Sequence, residues 1–412
     1  MQPIASVING ACHASLRCIV GETPLMFVDF HNYRRLLRGA LRGNDFSARY
    51  VALLSVLLAG VVVPATALNA ALMKLDSMVY PRVKQHPMQS PVFIVANPRS
   101  GTTYLHRLMA LDEERFTAMR LWHTMFPSVS AHRGLRAIWR ADQTFGAPLT
   151  RMMRRLERVA FGGWDGVHDM GFERTEEDES FFVMMNVSAS AMLTYIVPQA
   201  FERLGIFDNM PAEWRARVMD NYDTFVRSYL YAGDDRRTYL CKNVFSSGRV
   251  RSLREQYPDA RFIQIVRHPY EAIPSFCSMF SMPWRLLRPE IAPDSDTTRT
   301  WARIATSFYR HLHAVQAELP PERFISVRYD DLMRWPVETV ESVYQRFGLL
   351  MTRELRERLQ QEVMHRSAFE SRHTYSLETF GLSAVQIQEE LGDIFDAYGF
   401  SREYSDLHSA AQ

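Results

Sequence analysis

A chain of 412 residues, 47% hydrophobic and 23% charged, has ordinary globular composition and enough apolar material for one large domain with an appendage, or for two domains. A formal net charge of +2 leaves no electrostatic footprint for nucleic-acid binding by the chain as a whole, so no nucleic-acid partner is expected. Four cysteines (Cys12, Cys18, Cys241, Cys277) without zinc-ribbon spacing, and thirteen histidines without an H-E-x-x-H motif, argue against a disulfide framework and for a reduced, cytoplasmic protein with no structural metal.

Residues 1–88 read as a separate helical region. They carry nine Lys and Arg against four Asp and Glu, whereas the rest of the chain carries 39 against 42. Within them "YVALLSVLLAGVVVPATALNAALM" (50–73) runs for 24 residues without a charge. Arg34, Arg35, Arg38, Arg42 and Arg49 precede it and Lys74 follows. Length and flanks meet the criterion for a transmembrane helix with its Arg-rich side in the cytoplasm. The start is too far from the N-terminus for a secretory signal. Pro64, Asn69 and several alanines favour two other readings: a buried hairpin of two short helices, or an element lying on a membrane surface. Pro and polar residues at 81–91 then make a joint to a domain spanning 89–412.

Beyond the joint, short apolar runs alternate with amphipathic ones. Strands are expected at Val92–Ala96, Thr238–Cys241, Arg261–Val266 and Phe324–Arg328, and helices at Thr102–Leu111, Gly248–Gln256, Thr298–Glu318 and Pro336–Phe347. Nearly continuous apolar strands alternating with helices predict an α/β fold, a three-layer arrangement with a parallel sheet covered on both faces. Residues 128–170, rich in Arg and Trp, read as an insertion or lid. The run from Arg133 to Arg158 could attract an acidic acceptor, but a solvated helix face is the commoner role.

The first strand leads into "NPRSGTTYL". A turn between a strand and a helix offers unpaired N–H groups and partial positive charge to an anion. Gly101 lets the backbone come close to the ligand. Ser100, Thr102 and Thr103 supply hydroxyls, and Arg99 a fixed charge. The nucleoside-triphosphatase motif G-x-x-x-x-G-K-[ST] is absent, because no Lys follows Gly101. The expected ligand is phosphate-like and has no clear magnesium seat.

This loop resembles the 5'-phosphosulfate loop of sulfotransferases that use 3'-phosphoadenosine 5'-phosphosulfate (PAPS), nearest to the bacterial and tyrosyl-protein-like branches with Arg in the loop. Two further elements follow in the family's order. "RFIQIVRHPYEAIPSF" carries Arg267 and, eight residues on, Ser275, which the resemblance assigns to the 3'-phosphate. "FISVRYDDLMRWP" offers Tyr329 beside the adenine. The resemblance spans roughly residues 89–400 and implies the sulfotransferase fold, PAPS as donor and no metal. An arginine fork suits a terminal phosphate, so Arg267 and Ser275 would carry the choice of donor.

Sulfuryl transfer is an in-line displacement in which charge builds on the bridging oxygen and the acceptor loses a proton. Arg99 is placed to meet that charge. Lys242 in "YLCKNVF" is a second cation candidate, resembling a lysine of the tyrosyl-protein branch but one residue nearer the Cys; its alternative role is capping a strand end. For the base, His123 in "RLWHTMF" stands where relatives often read Trp-Glu, and an imidazole suits neutral pH. The competing base is a carboxylate of "GFERTEEDESFF", Glu173 or Glu177, although that acidic run could equally be a solvated helix start. Arg372 in "ESRHTYSLETFGL" sits where relatives close a basic loop over the 3'-phosphate. The expected acceptor is a hydroxyl, with an amine second, on a small molecule or lipid. The competing readings are a membrane-associated PAP- or PAPS-binding protein without turnover, and an ATP-dependent phosphotransferase.

Overall fold

Five parallel strands, β1 (Val92–Ala96), β2 (Phe116–Thr117), β3 (Thr238–Lys242), β4 (Arg261–Val266) and β5 (Phe324–Arg328), form one sheet in the order β2–β3–β1–β4–β5. The structure is a computed structural model describing residues 26–32, 34–35, 48–161, 175–366 and 376–404. Cys12, Cys18, Arg38, Arg42, Glu173 and Arg372 lie outside the described residues.

Side chains alternate across the pleat and build a core on each face. Phe93 and Val95 of β1, Tyr239 and Cys241 of β3, Phe262 and Phe324 point into one core. Val92, Ile94 and Ala96, with Leu240, Ile263, Ile265, Ile325 and Val327, point into the other. Every residue of β1 is buried, as a central parallel strand requires. The expected strands recur, with β3 one residue longer. The two-residue β2 escaped sequence reading because it is too short to show a period.

The helices that matter for the site are, in chain order, α1 (Ala48–Leu57), α2 (Val63–Val79), α3 (Thr102–Met109), α4 (Leu121–Met125), α5 (Val129–Thr144), α6 (Pro148–Phe161), α7 (Glu179–Met184), α8 (Ala212–Gly233), α9 (Val250–Gln256), α10 (Pro269–Leu287), α11 (Asp296–Gln316), α12 (Tyr329–Arg334) and α13 (Pro336–Arg346). α3 and α13 cover one face of the sheet through Leu105, Leu108, Val340 and Val343. α8 and α9 cover the other through Phe225, Val226, Val250 and Leu253. Of residues 128–170, expected as an insertion or lid, the described part to 161 holds α5 and α6, and 162–170 lie outside the described residues.

The apolar segment is one continuous helix, not a hairpin. α1 passes through a π turn (Leu58–Val62) directly into α2. The Val63 N–H bonds the Leu58 carbonyl in this wider turn. The ladder has thus already shifted where Pro64, lacking an N–H, enters the second position of α2. One side of the helix packs on the rest of the chain. Tyr50, Leu54 and Leu58 join the core around α10 and α11. Asn69 Nδ2 donates to the Met125 carbonyl (3.0 Å), and Asp76 Oδ1 accepts from the Ser130 hydroxyl (2.5 Å).

Candidate active site

The loop after β1 turns through two left-handed residues, Arg99 (φ 65°) and Gly101 (φ 79°). Gly101 is the N-cap of α3, and its carbonyl accepts from the Tyr104 and Leu105 N–H groups (3.0 and 3.1 Å). Ser100 is fully buried, and its hydroxyl has no hydrogen-bond partner among the described residues. Thr102 is buried and Thr103 half-buried on the first turn of α3. A Cβ at position 101 would meet the Tyr329 ring at 3.3 Å, so the loop backbone is held against that ring.

Arg267 follows β4 and joins the same cluster. Its Nη1 donates to the Arg99 carbonyl (2.8 Å), its Nε donates to Glu271 Oε2 (2.7 Å), and its guanidinium lies 4.5 Å from the Tyr329 ring centre. The Arg267 carbonyl accepts from the Tyr309 hydroxyl (2.6 Å). Ser275 is buried in α10, the helix that starts two residues after Arg267. Arg99, Gly101, Arg267 and Tyr329 thus meet at the C-terminal ends of β1, β4 and β5, where open parallel sheets hold ligands. A buried hydroxyl without a partner, a backbone that only glycine suits and an arginine fork fit a phosphate-bearing donor.

Lys242, the last residue of β3, reaches into this region from the neighbouring strand. Its ammonium is 1% exposed, donates to Thr103 Oγ1 (2.8 Å) and pairs with Glu177 Oε1 (3.2 Å). Capping a strand end therefore does not describe it; it ties the loop to the acidic run.

That run is not a solvated helix start. Asp178 and Glu179 are buried beside the strand ends. Arg249, 1% exposed, donates to both oxygens of Glu179 (2.6 and 3.1 Å) and to Ser188 Oγ (2.9 Å), with its guanidinium 3.8 Å from the Phe182 ring centre. Asn243 Nδ2 donates to Asp178 Oδ1 (2.7 Å) and Glu179 Oε2 (2.8 Å), and the Tyr222 and Tyr239 hydroxyls donate to Asp178 Oδ2. Burial pushes the Asp178 carboxyl up. For Glu179, burial also pushes up, but the Arg249 guanidinium and the Ser188 and Ser190 hydroxyls outweigh it and leave the carboxyl below its ordinary value. Sequence reasoning missed this network because Asn243 and Arg249 lie more than 60 residues from their partners. Its consequence is local: it pins the chain one residue beyond Glu177.

His123 stands elsewhere. On α4 it is 5% exposed, its Nδ1 accepts from the Arg120 N–H (3.1 Å), and its ring stacks on Trp122 at 3.6 Å. His132 and Tyr229 meet it edge-on (5.1 and 4.7 Å). Burial, then the neighbouring His132, Arg136 and Arg120, pull its pKa down to about 2. This histidine is a neutral member of an aromatic cluster.

The cluster forms one wall of a cleft of about 740 Å3 along the open edge of β2. Phe116, Trp122, Leu135, Arg136 and Trp139 line it. Arg120 and Thr175, joined by an antiparallel bridge, stand in it two residues before Glu177.

A parallel sheet with a phosphate-fitting loop, an arginine at the next strand end and a buried lysine facing a carboxylate defines a group transferase with a nucleotide-type donor. The model of the sulfotransferase family matches residues 91–353, and the chain belongs to that family. Sulfuryl transfer from PAPS, which the three motifs imply, is its activity. The omega-hydroxy-beta-dihydromenaquinone-9 sulfotransferase Stf3 of Mycobacterium bovis is 28% identical over 323 residues, 76% of either chain. Among solved structures, sulfotransferase STF9 from Mycobacterium avium superposes with a TM-score of 0.71 at 16% identity, over 96% of this chain and 97% of that one. Sulfotransferase STF1 from Mycobacterium tuberculosis gives 0.65 at 20%, over 95% and 99%. Such coverage extends past residues 89–400, the span of the sequence resemblance.

Proposed function

We propose that this sulfotransferase acts on the hydroxyl of an apolar, lipid-class acceptor, with Glu177 as base and Lys242 and Arg99 as the cations of the transfer. The observation that carries the reading is the contact of Lys242 with both Thr103 and Glu177 at the mouth of the donor loop. The donor, when bound, supplies a sulfuryl group on a phosphate leaving group. The loop backbone with Ser100, Thr102 and Thr103 holds the 5' end, Arg267 and Ser275 the 3'-phosphate, and Tyr329 the adenine. The Glu177 carboxylate takes the acceptor proton, and Lys242 and Arg99 neutralise charge on the bridging oxygen, a role we assign to them rather than to a metal.

Glu177 is preferred to His123 because His123 Nδ1 is occupied by a backbone N–H and burial disfavours its charged form. The cleft along β2 is assigned to the acceptor. Its Trp, Phe and Leu side chains suit an apolar body, and the related Stf3 is named for a hydroxylated menaquinone. A hydroxyl is the acceptor group, with an amine second. We further place the enzyme in the cytoplasm at a membrane surface, with 1–88 as an appendage to a transfer domain spanning 89–412. Cys241 and Cys277, both buried and unpaired, agree with a reducing compartment.

The test combines donor binding with product formation. Calorimetry should show 3',5'-adenosine bisphosphate binding far more tightly than ADP with magnesium, and Arg267→Ala should weaken it by about 10–100-fold. With PAPS and a panel of hydroxylated quinol and polyprenol lipids, mass spectrometry should find the sulfate ester. Turnover confined to water-soluble phenols or amines would overturn the acceptor assignment while leaving the donor reading intact.

A further inference from the structure

From Leu53 to Val79 the helix formed by α1, the π turn and α2 is 27 residues long, with a mean hydropathy of 2.0 in its most apolar window, of which 22% is buried. At 1.5 Å per residue this is about 40 Å. None of its exposed positions holds Asp, Glu, Lys or Arg. Val56, Leu68 and Met78 are 70%, 53% and 72% exposed, and Leu53, Val61, Val63, Leu75 and Val79 also face outward. Of the two charges the segment carries, Asp76 is buried against Ser130 and Lys74 is half-exposed. An uncharged face of this length is larger than a monomer leaves in water without purpose.

We propose that this face docks the enzyme on the surface of a lipid bilayer, with the helix lying in the interface plane instead of crossing it. Crossing the bilayer would carry whatever is fastened along the helix into the hydrocarbon with it. Here Tyr50, Leu54 and Leu58 fasten one end of the helix to the catalytic fold, and Asn69, Met73 and Asp76 the other. The fold thus takes the place of the polar face that other interfacial helices turn to water. Charge favours a bilayer over a second copy of the chain. Residues 1–88 have nine Lys and Arg against four Asp and Glu, which attracts anionic headgroups and would repel an identical surface. At the end of the helix Arg82 is exposed, and the Arg133 guanidinium sits 5.0 Å from the Tyr80 ring centre, an aromatic–arginine pairing suited to headgroup depth. The helix also holds the walls of the cleft, since Met125 and Ser130, its bonding partners, end α4 and begin α5.

The experiment is flotation of the purified full-length protein with phosphatidylcholine vesicles, with and without phosphatidylglycerol. It needs neither donor nor acceptor, so its outcome is separate from the acceptor assignment. The wild type should rise with the vesicles, more completely when they are anionic. The variant carrying Val56→Asp, Leu68→Asp and Met78→Asp changes only exposed side chains; it should lose at least about tenfold in vesicle binding. Its affinity for 3',5'-adenosine bisphosphate should stay unchanged, which reports a native fold. A wild type left in the soluble fraction, or a variant floating as well as the wild type, overturns the proposal. So does a non-floating wild type whose ultracentrifugation dimer the variant abolishes, since the face would then meet a second copy.

Discussion

Lys242 and Glu177 pair at 3.2 Å at the C-terminal end of β3, and the same ammonium donates to Thr103 on the first turn of α3 at 2.8 Å. A buried lysine needs a counter-charge and a hydrogen-bond acceptor to offset lost hydration, and Glu177 and Thr103 are such partners. The pair joins three elements distant in sequence, the loop after β1, β3 and the acidic run, at the point to which we assign the transfer.

If Glu177 is the base, Glu177→Gln should lower kcat by about 10²–10⁴-fold while the bisphosphate still binds. His123→Gln should keep kcat within about threefold, because its ring packs in the aromatic cluster, and its cost should appear as lower stability. Steady-state kinetics of both variants decide the matter. The reverse pattern would return the proton transfer to His123.

Arg249→Leu should destabilise the protein by about 3–5 kcal/mol in urea unfolding, since it leaves Glu179 buried and uncompensated. The double variant Arg249→Leu/Glu179→Leu should recover a large part of that loss, as an uncharged pair needs no hydration. A single variant within about 1 kcal/mol of wild type would show that the network does not pin the segment.

Gly101→Ala forces a side chain onto a residue at φ 79°, with contacts of 3.2 Å to Leu332 and 3.3 Å to Tyr329. Left-handed backbone alone costs an L-residue about 1–2 kcal/mol. The methyl would also push Tyr329 away from the loop, so calorimetry should show about tenfold weaker bisphosphate binding together with the lower stability. Unchanged affinity would mean that the loop and the Tyr329 ring do not act together.

His106, His123 and His132 are buried neutral, with pKa values lowered to about 3, 2 and 4. Burial is the main cause in each; Lys242 adds to it for His106 and His132 for His123. Because the unfolded chain protonates these groups near 6.5 and the folded one far lower, their contribution is complete above pH 6.5 and is lost as pH falls toward the folded values. Each should add a slope of about 1.4 kcal/mol per pH unit below 6.5. Urea unfolding between pH 7.5 and 5 should show the decline, shallower in His132→Gln. A flat profile would mean that these rings are charged in the folded state.

Much of the candidate donor site's geometry was legible because its signals are local. A buried strand, a turn needing φ near 79° at Gly101 and an arginine at the next strand end each depend on a few consecutive residues. The four long strands could be read from apolar runs for the same reason. β2 could not, because two residues carry no period.

The sequence by itself determined the parallel α/β sheet, the phosphate-fitting loop at Arg99–Thr103, the Arg267 strand end and the sulfotransferase class. Only the tertiary structure decided which base candidate faces Lys242, that Asp178 and Glu179 are buried partners of Asn243 and Arg249, and that 50–73 lies along the fold as one helix. The physical reason is shared. Whether a carboxylate, an imidazole or an apolar helix meets water, a counter-charge or lipid depends on what long-range packing sets beside it, and those neighbours lie as far as 146 residues away along the chain.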